Sequence, residues 1–169
     1  QKLIRCPSVT PKQAGALDLL EKELKQMDFQ CTRLSFGEGL ERIENLYAEF
    51  GNGPSHFAFA GHVDVVPIGS VTDWKFSPFG AEIKDGTLYG RGASDMKTGI
   101  AAFVSAIKKW QQTSNSNTKI SLIITGDEEA DAINGTAKIV EWMKKKNILP
   151  DMCIVAEPTS QLEIGDNIR

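Results

Sequence analysis

Hydrophobic positions change their spacing several times along this chain, and each change marks an element. In "PKQAGALDLLEKELKQMDF" the apolar residues Leu17, Leu20, Leu24 and Met27 recur three and four apart. That spacing predicts an amphipathic helix, with Thr10 as its cap and Pro11 at its first position. "FQCTRLSF" and "ENLYAEF" are short and rich in β-formers, and the glycines of "GEGLE" between them predict a strand pair. "SHFAFAG" predicts a strand that stops at Gly61, and residues 62–79 a long, proline-bearing loop of the kind that carries function. "AEIKDGTLYG" predicts a hairpin turning at Asp85-Gly86. A second helix is expected over about 98–112, with Ile100, Phe103, Val104 and Ile107 on one face. The polar link "TSNSN" then leads into "KISLIIT", a buried strand; a third helix is expected over about 134–146, and "DMCIVAE" reads as another buried strand.

Apolar strands alternating with amphipathic helices imply an α/β fold: a mostly parallel mixed sheet covered by helices on both faces. Ligands of such sheets bind at the carboxyl ends of the strands. Three strands end there in histidine or acid, in "AFAGHVD", "LIITGDEE" and "CIVAEP".

Length and composition narrow the class further. With 169 residues, 41% hydrophobic and 24% charged, the chain fits one ordinary globular domain. A net charge of -3 with dispersed Lys and Arg offers no basic stripe, which argues against nucleic acid and anionic membranes as partners. No signal peptide and no run of about 18 apolar residues is present. Cys6, Cys31 and Cys153 are odd in number and far apart, which suits reduced, buried thiols in a cytoplasmic protein.

The adjacent acids Asp127, Glu128 and Glu129 at the end of an apolar strand need a cause, because like charges repel. A multivalent cation supplies one, and zinc takes imidazole nitrogen and carboxylate oxygen together. His62, Asp95, Glu128, Glu129 and Glu157 are the groups to weigh. Each has a plainer reading: a satisfied core histidine, a cap for the second helix, a solvated turn, a strand exit. Their joint occurrence at strand ends favours the metal. Asp64, two residues past His62, is placed to bond the other imidazole nitrogen and fix its tautomer. His56, inside a strand, reads as structural. "GRGASD" lacks the third glycine of a dinucleotide fingerprint and follows a hairpin, so it reads as the loop presenting Asp95.

"FAGHVDVVP", "WKFSPFGAEIKDGTLYGRGASDMKTGIAAF", "ITGDEEADAINGT" and "IVAEPT" together resemble the zinc-dependent aminoacylase, carboxypeptidase and desuccinylase superfamily, from about Leu3 to the chain end. The resemblance implies two zinc ions, with cobalt as a workable substitute: His62 and Glu157 on one, Glu129 on the other, Asp95 bridging both. It implies Glu128 as general base, Asp64 behind His62, and a cis peptide at Asp95-Met96. It also implies hydrolysis of an N-acyl amide, foremost N-succinyl-LL-2,6-diaminopimelate to succinate and LL-2,6-diaminopimelate. Deacetylation of N-acetylornithine and small-peptide carboxypeptidase activity are the alternatives within the superfamily, and a non-catalytic metal-binding or interaction module is the alternative outside it.

Two departures qualify the match. Ala130 and Asp131 stand where such sequences often carry glycine and proline, and no histidine follows His62 to complete the second metal's ligands. The chain opens at Gln1 without methionine and runs out at "IGDNIR". The expectation is that residues 1–169 are the N-terminal portion of a catalytic domain whose remainder, with a lid that makes a homodimer, lies elsewhere, and that this portion alone is inactive with an exposed sheet edge.

Overall fold

The computed structural model describes residues 1–114, 117–160 and 162–163. Asn115 and Ser116 of the "TSNSN" link, and the "IGDNIR" end, lie outside the described residues. Ten named elements follow one another: α1 (Ala16–Lys25), β1 (Gln30–Phe36), β2 (Ile43–Phe50), β3 (Ser55–His62), β4 (Glu82–Lys84), β5 (Thr87–Tyr89), α2 (Thr98–Thr113), β6 (Thr118–Thr125), α3 (Thr136–Lys146) and β7 (Met152–Val155).

Five strands form one sheet in the order β1-β2-β6-β3-β7. Pairs β1/β2 and β2/β6 are antiparallel, while β6/β3 and β3/β7 are parallel, so β2 alone runs against the other four. The expected mostly parallel mixed sheet is therefore present. Because strand side chains alternate, the sheet buries two faces. Leu17, Leu20 and Leu24 of α1 and Ile100 and Ile107 of α2 pack with Phe59, Leu122 and Ile124 on one face; Phe103 of α2 stacks on Phe59 at 4.5 Å. Ile139 and Met143 of α3 pack with Ala58, Ala60, Ile123 and Tyr47 on the other. Each such aliphatic side chain removed from water contributes about 1.5–3 kcal/mol.

Several local expectations need correction. Thr10 does not cap α1: the Thr10-Pro11 bond is cis, and the helix begins at Ala16 after Gly15, which turns the chain at φ 83°. Four turn-forming residues separate Pro11 from the periodic region, and the leucine spacing carries no mark of where its first turn closes. The strand in "DMCIVAE" is not buried. Among the described residues β7 pairs with β3 on one side only, and Met152, Ile154 and Val155 are exposed, as is Cys153. Its apolar residues are those of an interior strand placed at an edge. Cys6 and Cys31 are half-buried, and all three thiols are free.

The segment before α1 joins the sheet region too. Ser8 donates its hydroxyl to the Val63 carbonyl at 2.6 Å, Val65 donates its N–H to the Ser8 carbonyl at 2.9 Å, and Val9 bridges Val65. The hairpin turns at Asp85 and Gly86, both with positive φ, as the dipeptide predicts.

Candidate metal centre

β3, β6 and β7 run parallel, so their carboxyl ends share one rim of the sheet. β3 ends at His62, β6 leads into Glu128 and Glu129, and β7 leads into Glu157. Asp95 comes from a different place, the turn 93–97 ahead of α2, and its bond to Met96 is cis. Asp95 does not cap α2, which starts behind Lys97 with no side-chain cap.

His62 is fully buried and gathers the acids around its Nε2: Asp95 Oδ1 at 3.0 Å, Glu157 Oε1 at 3.6 Å and Glu128 Oε2 at 3.8 Å. One donor atom from each of His62, Asp95 and Glu129 lies within 4.8 Å of the others. Zinc binds nitrogen and oxygen at about 2.0–2.2 Å, which puts tetrahedral ligand atoms roughly 3.3–3.6 Å apart. The separations from His62 Nε2 to Asp95 and to Glu157 are already near that spacing, and the chemistry of the three, one imidazole and carboxylates, suits zinc.

The electrostatics fit a group built around a cation. Burial alone would lower the His62 pKa, but the Asp64 hydrogen bond and charge, and the Asp95 carboxylate, together raise it to about 9. Burial raises the Glu157 carboxyl to about 7, with the Asp95 charge adding to the rise and His62 opposing it. Burial and then the Asp95 charge also push Glu129 up.

Asp64 makes two kinds of contact. The nearest partner of His62 Nδ1 is the Asp64 backbone carbonyl at 2.9 Å, with the carboxylate oxygen at 3.5 Å. A backbone acceptor fixes the tautomer as well as a carboxylate does. The Asp64 carboxylate, itself buried, accepts the backbone N–H groups of Glu128 and Glu129. Asp127 parts from its two neighbours: its buried carboxylate accepts the N–H groups of Ala132 and Asn134, folding the loop upon itself. Glu128 and Glu129 are left to face the centre, Glu128 with half its side chain exposed and Glu129 partly buried.

Lys97 had no place in the sequence reading. Its side chain is 1% exposed, its Nζ donates to the Cys6 carbonyl at 2.9 Å, and burial pushes its ammonium down to about 8. Its position two residues after Asp95 was the one available signal. His56 is structural as expected: buried within β3, with Nε2 2.8 Å from the Ser121 hydroxyl.

Comparison with known proteins follows the same lines. The model of peptidase family M20/M25/M40 matches residues 58–168. A succinyl-diaminopimelate desuccinylase of Parvibaculum lavamentivorans is 52% identical over 169 residues, covering 99% of this chain and 42% of its own length. One from Rhodospirillum centenum is 51% identical, covering 99% and 44%. The chain thus spans less than half the length of these relatives. Among solved structures, human carnosine dipeptidase 1 superposes with a TM-score of 0.81 at 24% identity, covering 96% of this chain and 38% of its own. An M20 family metallo-carboxypeptidase of Sulfolobus solfataricus gives 0.77 at 24% identity, covering 95% and 36%. At that identity the likeness is one of fold.

Proposed function

The chain belongs to peptidase family M20/M25/M40, and from that premise we propose that it is the N-terminal portion of the catalytic domain of a zinc-dependent N-acyl amide hydrolase. The substrate is N-succinyl-LL-2,6-diaminopimelate, cleaved by water to succinate and LL-2,6-diaminopimelate. The names of the relatives at 51–52% identity support the choice of substrate. The observation that carries the reaction type is the meeting of His62, Asp95 and Glu129, with Glu157 beside His62, at one rim of the sheet.

In this reading His62 and Glu157 would hold one zinc ion and Glu129 a second, with Asp95 available as a ligand to them. Bound zinc supplies Lewis acidity toward the amide carbonyl and lowers the pKa of the attacking water. Glu128 would act as general base, taking a proton from the attacking water and giving it to the leaving amine. Two adjacent glutamates then have separate duties, and the half-exposed side chain of Glu128 suits the one that must move a proton. Asp64 holds the pair by their backbone and keeps the His62 tautomer that leaves Nε2 free for the metal. On this proposal a further ligand for the Glu129 ion, a lid and dimer contacts would come from elsewhere in the protein.

An amide-hydrolysis assay of the whole protein, over succinylated and acetylated amino acids with and without chelator, tests the proposal. Cleavage of the succinylated diaminopimelate should dominate and should vanish on chelation. Hydrolysis that survives complete metal removal, or no hydrolysis of any N-acyl amide, would refute it.

A further inference from the structure

The loop from Gly126 to Asn134 carries both glutamates, and its two ends are tied to one side chain on another strand. Asn45 of β2 is wholly buried, between the buried apolar residues Ile43 and Tyr47 two positions away on either side. Its Oδ1 accepts the Thr125 hydroxyl at 2.9 Å and the Gly126 N–H at 3.3 Å. Its Nδ2 donates to the carbonyl of Asn134 at 3.0 Å and to that of Leu34 at 3.3 Å. Thr125 passes the connection on, because its Oγ accepts the Asp127 N–H at 3.0 Å. The loop is therefore gripped where it leaves β6 and where it returns toward α3, with Glu128 and Glu129 between the two grips.

We propose that Asn45 and Thr125 are positioning residues for Glu128 and Glu129, acting through a hydrogen-bond relay from β2 to the Asp127 amide; the inference rests on the amide-hydrolase reading above. A buried amide costs desolvation that an aliphatic residue would avoid, and β2 would pair equally well with leucine at that position. What leucine cannot do is hold both loop ends at once. Linked buried hydrogen bonds stiffen one another, so the relay converts a flexible nine-residue return into a fixed support. A displaced general base or ligand is costly: an error of about 1 Å can reduce turnover on the order of a hundredfold.

Thr125→Val keeps the side chain's shape and removes the hydroxyl, while Thr125→Ser restores it. In the whole protein Thr125→Val should lower kcat at least about tenfold with KM changed less than about threefold, and Thr125→Ser should stay within about threefold of the parent. Amide hydrogen exchange at Asp127 and Glu128 should quicken about tenfold in Thr125→Val and not in Thr125→Ser. Asn45→Ser, whose hydroxyl is too short to reach Asn134, carries the same expectation as Thr125→Val and serves if that variant does not fold. A residue that only stabilised the sheet would lower the melting temperature and leave kcat per folded molecule alone; that result, or an equal loss in Thr125→Ser, overturns the proposal. If the parent hydrolyses no amide, the functional reading has failed, and unchanged exchange at Asp127 then separately rejects the relay.

Discussion

Asp64 reaches from the end of β3 to the loop after β6, where its carboxylate accepts the backbone N–H of Glu128 at 3.0 Å. It also accepts that of Glu129 at 3.0 Å, and it lies 3.5 Å from the imidazole of His62. One buried charge thus serves both halves of the centre. Asp64→Asn preserves the shape but replaces one acceptor oxygen by a donor facing two N–H groups. Zinc affinity and turnover should each drop by about 10- to 100-fold. Unchanged values for both, measured by competition titration and steady-state kinetics, would remove Asp64 from this role.

Glu128→Gln separates holding metal from moving protons. The variant should bind zinc as the parent does and lose about 10²- to 10⁴-fold in kcat, the usual contribution of a general base. Metal analysis alongside kinetics checks both halves; an undiminished rate would strip Glu128 of its assignment.

Proton competition sets the pH dependence. With His62 near 9 and Glu157 near 7, zinc must displace two protons below about pH 7, one between about 7 and 9, and none above. Apparent affinity should accordingly rise about tenfold per pH unit across the middle range and more steeply below it. Stability of the metal-free chain should move the other way. Both groups have folded pKa values above their ordinary values of 6.5 and 4.5, so the folded state binds more protons. Stabilisation from protonated His62 is complete below about 6.5 and lost as pH rises through about 9, while the burial of ionised Glu157 starts to cost stability above about 4.5. Denaturant midpoints that climb from pH 5 to 9 in chelator would contradict this.

The two metal positions should differ in this chain. His62 and Glu157 offer nitrogen and oxygen close together, whereas Glu129 has no second histidine here to share its ion. Calorimetric titration should find one tight zinc and one weaker. Two equally tight sites would contradict the ligand assignment.

Gly135 tests the floor of the loop. A β-carbon there would stand 2.5 Å from the Asp127 carbonyl oxygen and 2.5 Å from the Thr125 hydroxyl. Backbone cannot yield as a flexible side-chain tip would, so Gly135→Ala should cost about 1–3 kcal/mol, read as a lower denaturant midpoint.

Most of the architecture was legible because periodicity reports burial directly. Leu17, Leu20 and Leu24 marked α1, and "KISLIIT" marked β6, since each apolar run had one packing solution. β7 misled for the same reason: its composition reports a strand suited to an interior, and composition does not say whether neighbours are present. The metal-centre candidates were legible from residue type at strand ends. Asn45, Thr125 and Lys97 were not. A buried polar side chain is identified by partners 80 to 91 positions away, as Thr125 is by Asn45 and Lys97 by Cys6, and no local pattern encodes those distances.

The grip of Lys97 on Cys6, with the bonds that join Ser8 to Val63 and Val65, ties residues 6–8 to the segments that carry His62 and Asp95. A substitution or a protease cut among the first ten positions would be felt at the chemistry and not only at the surface. Variants that differ in that segment are best compared by zinc affinity before any rate is attributed to the glutamates.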